Sequence, residues 1–123
     1  MSSTVRIPAA GTNTDNTGRL ITQDYLAPAY AATIALSPTQ QETTVVVGAL
    51  TGALTITAAT TVPQVGDRML LVFSASGANR TVTFSTGFAV SASTLVVVSA
   101  KYGTLTCVFN GTAWVETTRS LTA

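Results

Sequence analysis

Acid–base and nucleophilic chemistry needs titratable side chains that can meet in pairs, and this 123-residue chain supplies few of them. It has no histidine, one lysine (Lys101) and one cysteine (Cys107). Without an imidazole, a Ser–His or Cys–His nucleophile pair has no base. A Ser–Lys pair would have to use Lys101, which stands at a turn before Tyr102-Gly103 with no serine placed beside it. Paired carboxylates remain, from Asp24, Glu42, Asp67 and Glu116, as glycoside hydrolysis would require. Asp67 follows Val65-Gly66 and reads as a turn residue. Glu116 lies on the core side of a strand, where Arg80 or Arg119 can pair with it. No catalytic residue is assigned, and the chain is read as a non-enzyme.

Metal and cofactor chemistry fares no better. One cysteine and no histidine cannot make a zinc site. The run Asn13-Thr14-Asp15-Asn16 lacks the acidic density and the closing glutamate of a calcium loop. The glycines sit singly at turns, so no phosphate loop is present and no cofactor is expected. Six scattered basic residues and a net charge of +1 give no footprint for nucleic acid. Asn79-Arg80-Thr81 and Asn110-Gly111-Thr112 match glycosylation sequons, but the start of the chain shows no basic-then-apolar secretory signal, so both read as turns. Residues 43–66 and 81–100 carry no charge. Their regular threonines and Pro63 speak against a membrane helix, and the 7% aromatic content speaks against the girdles of a membrane barrel.

The positioning elements are more legible than the chemistry. Threonine makes up about a fifth of the chain, and β-branched residues favour strands. Alternation such as Leu54-Thr55-Ile56-Thr57 has the strand period of two. Strands are expected over 30–36, 43–47, 53–58, 68–74, 80–84, 94–99, 104–109 and 112–118, with no useful amphipathic helix. Asn110-Gly111 between two alternating runs predicts a two-residue hairpin turn. That hairpin places Leu105, Cys107, Phe109 and Trp114 on a core face. Its other face carries Thr104, Thr106, Val108, Val115 and Thr117, which form an expected subunit interface. Many short strands at close spacing predict an all-β fold: an antiparallel β-sandwich or a jelly-roll-like barrel over residues 29–123.

Residues 1–28 differ, with Pro8, Gly11, a polar run from Thr12 to Gly18, and Pro28. They read as an extended N-terminal arm. Arg6, Ile7, Arg19, Leu20 and Tyr25 are its anchors to a partner. Only 9% of residues are charged, against roughly 25% in an ordinary soluble domain. Such a surface does little to keep copies apart, which points to life in an assembly. The continuous apolar runs Met69-Leu70-Leu71-Val72-Phe73 and Leu95-Val96-Val97-Val98 point the same way, because they predict strands covered on both faces.

The run Leu105-Thr106-Cys107-Val108-Phe109-Asn110-Gly111-Thr112-Ala113-Trp114-Val115-Glu116-Thr117-Thr118-Arg119 resembles the ending of small tailed-bacteriophage virion β-domains. So do Val65-Gly66-Asp67-Arg68 and the stretch from Arg80 to Phe88. The resemblance covers about residues 43–121 and implies a structural virion protein, made in the host cytoplasm. Its role would be capsid decoration (cement) or a head fibre that stabilises the assembled shell. It implies a homo-oligomer, a trimer, with the major capsid protein or another virion protein as partner, and no nucleic acid or membrane. The alternative is a receptor- or glycan-binding tail-fibre domain, which needs an exposed aromatic cluster drawn from Tyr25, Tyr30, Tyr102 or Trp114.

Overall fold

The computed structural model of the chain describes residues 22–121. Ten strands follow in order: β1 (Gln23–Leu26), β2 (Thr33–Leu36), β3 (Glu42–Val46), β4 (Leu54–Ala58), β5 (Arg68–Ser74), β6 (Arg80–Phe84), β7 (Phe88–Ala89), β8 (Thr94–Val97), β9 (Tyr102–Phe109) and β10 (Trp114–Leu121). The described residues are all-β. Strands β2 to β5, β8 and β9 alternate as their side chains dictate. Ile34 and Leu36, Leu54 and Ile56, and Met69, Leu71 and Phe73 turn inward, while the residues between them face out.

The arrangement of these strands is neither an antiparallel sandwich nor a jelly-roll-like barrel. Successive strands cross alternately between two sheets, ordered β1-β3-β5-β9-β10-β7 and β2-β4-β6-β8. Within each sheet the first three strands are parallel: β1, β3 and β5 in one, and β2, β4 and β6 in the other. The chain therefore climbs as a β-solenoid, each rung giving one strand to each sheet. A parallel pair needs a crossover of a dozen or more residues, and here the strand in the opposite sheet serves as that crossover. Short connections carry the chain between sheets rather than around hairpins, which is why close spacing misleads.

The climb ends in antiparallel strands. β8 pairs with β6, β9 with β5 and β10 with β9, while the two-residue β7 joins the far edge parallel to β10. Phe109 pairs with Trp114, so the hairpin loop has four residues, 110–113, rather than two. The Asn110 carboxamide oxygen accepts the amides of Thr112 and Ala113 at 2.8 and 2.9 Å, and Gly111 alone takes positive φ. The longer loop shifts the pairing, so that Cys107 lies opposite Glu116 and not Trp114. Gly87 has φ +95°, and a Cβ there would collide with the Ala58 carbonyl oxygen, so the entry into β7 requires glycine.

The core runs between the sheets. Trp114 is fully buried, its ring 5.3 Å from that of Phe109, and its Nε1 donates to the Ala59 carbonyl oxygen at 3.1 Å. Phe84 stacks edge-on against both Phe73 and Phe88. Residues 23–26, which composition assigns to the arm, form β1 and pair with β3. The described residues do not cover the apolar runs on both faces. Leu70 and Val72 are only half-buried, and Val96 and Val98 are exposed.

Candidate functional site

The charged residues of β10 form the tightest polar cluster. A β-bulge between Glu116 and Thr118 brings Glu116 and Arg119 onto one side of the strand. The guanidinium holds the carboxylate through two bonds of 2.7 and 2.8 Å. Glu116 also accepts the Ser91 amide and hydroxyl at 3.0 and 3.1 Å. Arg119 further donates to the carbonyl oxygens of Thr94 and Ala92 and lies 5.8 Å from the Phe84 ring centre. Those bonds hold Glu116 down at about pH 2, the Arg119 hydrogen bond first among the causes. A carboxylate so acidic and so fully paired cannot act as a general acid near neutrality. The cluster is a clamp that fastens the loop between β7 and β8 to β10.

The other chemistry-bearing groups are likewise engaged in the fold. Cys107 is buried, and burial with the nearby Glu116 charge pushes its thiol up to about 12, which makes it inert. Asp67 is buried, and its carboxylate accepts the Gln64 amide at 2.9 Å, closing the turn before β5. Asp24 accepts the amide of its neighbour Tyr25 at 2.9 Å. Arg80 donates to the Ser76 carbonyl oxygen, so of the two partners foreseen for Glu116 the structure selects Arg119. Among the described residues no group of three or more metal-type ligands gathers, and no helix is long and apolar enough to cross a membrane.

Two of the shallow depressions at the surface are lined by described residues. One, of about 210 Å³, is lined by Gln23, Asp24, Tyr25, Glu42 and Thr44. The other, of about 280 Å³, is lined by residues including Thr39, Gln40, Gln41 and Gln64. The aromatic residues foreseen for a binding surface, Tyr25, Tyr30, Tyr102 and Trp114, do not gather into an exposed cluster. Trp114 is core, and the Tyr30 hydroxyl donates to the Ala53 carbonyl oxygen. Tyr25 and Tyr102 are 51% and 53% exposed. They stand three strands and four register positions apart, about 19 Å by sheet spacing.

The expected interface residues do share one surface. Thr104, Thr106, Val108 and Val115 lie half-buried on the outer face of the six-stranded sheet. Thr117 leaves their row. The bulge puts Thr118 opposite Thr106 instead, and the Thr117 hydroxyl donates to the Thr106 carbonyl oxygen. The register adds residues that the sequence reading did not single out for this face. Val46 and Val72 align with Thr104, Thr44 and Leu70 with Thr106, and Glu42 and Arg68 with Val108. For Leu70 and Val72 the signal in the sequence is the apolar run 69–73. Of the arm anchors, Tyr25 stands on β1, while Arg6, Ile7, Arg19 and Leu20 lie outside the described residues. No protein-family model matches the sequence, and no curated protein is similar to it.

Proposed function

We propose that this chain is a structural, non-enzymatic virion component: a capsid decoration or head-fibre protein working as a homo-oligomer on the assembled shell. One observation carries the reading. The carboxylates of Asp24, Asp67 and Glu116 hold backbone or arginine groups of the fold, while among the described residues a broad, sparsely charged face rich in threonine and valine is left half-exposed. The resemblance to tailed-phage virion β-domains supports the same reading. Such a protein acts by mass action, since binding only the assembled shell lowers the free energy of that state. The separation of Tyr25 from Tyr102 speaks against the glycan-binding alternative.

The test is immunogold labelling of particles made by the phage whose genome encodes this chain, with antibody against the purified protein. Label on the capsid is the expected result. Label on the tail alone favours the receptor-binding alternative, and unlabelled particles overturn the virion reading. With so few charges, attachment should survive moderate salt. Complete release at moderate ionic strength contradicts an apolar, hydrogen-bonded attachment.

A further inference from the structure

We infer that the outer face of the six-stranded sheet is where copies of this chain meet, and that its occupant is the same face of a second copy. The inference rests on the homo-oligomeric reading above and gives it a two-fold form: a face that meets its own copy closes a dimer, not the trimer that the resemblance implies.

Area separates the two outer faces. Strands lie about 4.8 Å apart and rise about 3.3 Å per residue. From β1 to β10 the six-stranded sheet is about 24 Å wide, and its central strands run seven or eight residues. Counted strand by strand, from the four residues of β1 to the eight of β9 and β10, the face spans about 500 Å², so two apposed faces cover about 1,000 Å² even before side-chain relief is added. A specific interface should clear roughly 1,000 Å². The four-stranded sheet has strands of four or five residues and spans only about 300 Å². Two such faces fall in the range of incidental contacts.

Side chains agree with area. Val46, Leu70 and Val72 form an apolar centre, with Val108 and Val115 continuing it along one side. Thr44, Thr104, Thr106, Tyr25 and Tyr102 make a hydroxyl-bearing surround. An apolar centre inside a polar, aromatic rim is the anatomy of a protein interface. The four-stranded face instead carries a row of threonines, Thr33, Thr55, Thr83 and Thr94, and its exposed Val96 stands on the edge strand β8 rather than at the centre. Charge permits self-apposition. Glu42 and Arg68 project from the six-stranded face as register neighbours of opposite sign, so the face is neutral and an arriving copy meets both signs.

The test is the solution mass of the full chain by light scattering across a concentration series. Wild type should form a dimer, twice the 12.6 kDa of the chain, and a trimer contradicts a face meeting its own copy. Leu70→Glu should weaken association at least 100-fold, while Thr83→Glu on the opposite sheet should leave the mass unchanged. Circular dichroism checks that the variants fold. Glu42→Arg offers an independent route if Leu70→Glu does not fold. It places two like charges on each apposed face, so association should weaken in low salt and recover in high salt. A wild-type monomer at every concentration overturns the inference. So does an oligomer indifferent to Leu70→Glu and Glu42→Arg, or one dissociated by Thr83→Glu. These outcomes separate the two claims. A monomer that labels the virion leaves the proposed location standing, whereas an oligomer absent from particles sinks the location and keeps the interface.

Discussion

The hairpin end of the solenoid and its first rung are built from the same alternating threonine and aliphatic residues, yet they are closed very differently. At the hairpin end β9 and β10 run eight residues each in antiparallel register, and Leu105, Cys107 and Trp114 are wholly buried. The Glu116–Arg119 clamp then ties in the loop before β8. In the first rung β1 and β2 run four residues, and Ile34 and Leu36 keep 7% and 4% of their surface. Among the described residues each of these strands has a partner on one side only. Asp24 turns its carboxylate to the Tyr25 amide, a charge placed where it discourages pairing at the edge of β1. Alternation alone makes a strand. Length and closure on both edges make it stable, so resistance to opening should fall from the hairpin towards the first rung.

The largest expected break is at Trp114. Trp114→Ala should cost about 3–5 kcal/mol in urea or thermal unfolding, because it empties the best-packed site and strands the Ala59 carbonyl oxygen. Leu36→Ala, in the less enclosed first rung, should cost about 2–3 kcal/mol. An equal or larger loss at Leu36 would reverse the proposed gradient.

Glu116→Gln sharpens the comparison at the hairpin end. The clamp is partly open to solvent, which limits its worth to about 1 kcal/mol at neutral pH. The pH dependence carries a sign. The folded carboxyl titrates at about 2 and the unfolded one near 4.5, so the stabilisation is complete above about pH 4.5 and is lost as pH falls towards 2. Wild-type melting temperature should therefore drop more steeply than that of Glu116→Gln between pH 5 and 2, and parallel profiles would refute the clamp. The smallest effect is a gain. The Thr43 hydroxyl on β3 is buried without a hydrogen-bond partner, so Thr43→Val should stabilise by about 1 kcal/mol. A loss of stability there would mean the hydroxyl is satisfied.

Much of this organisation is written locally. Strands over 68–74 and 80–84 follow from alternation and turn residues, and both form with those bounds. The core set Leu105, Cys107, Phe109 and Trp114 follows from period two, whatever the partner strand. Topology is not written locally, because parallel rungs and antiparallel hairpins share one alternation. Nor does a fixed repeat betray the rungs. Gln23 aligns with Glu42, an offset of 19, but Glu42 aligns with Arg68, an offset of 26. Such unequal rungs hide the periodicity by which solenoids are usually found. The hairpin loop was misjudged because Asn110 caps two amides with its side chain rather than adopting positive φ. Arg119 is legible as the partner of Glu116, being three residues away. Ser91, 25 residues away, becomes its neighbour only through the path of the solenoid.

Residue-resolved native-state hydrogen exchange tests the central claim, a solenoid secured at its hairpin end and weakest at its first rung. The amides of β5 and β9, such as Leu71 and Leu105, should exchange only through global unfolding. Those of β1 and β2 should exchange through a smaller opening that leaves the hairpin intact. Uniform protection across β1 to β10, or earlier exchange in β9 and β10 than in β1, would contradict it.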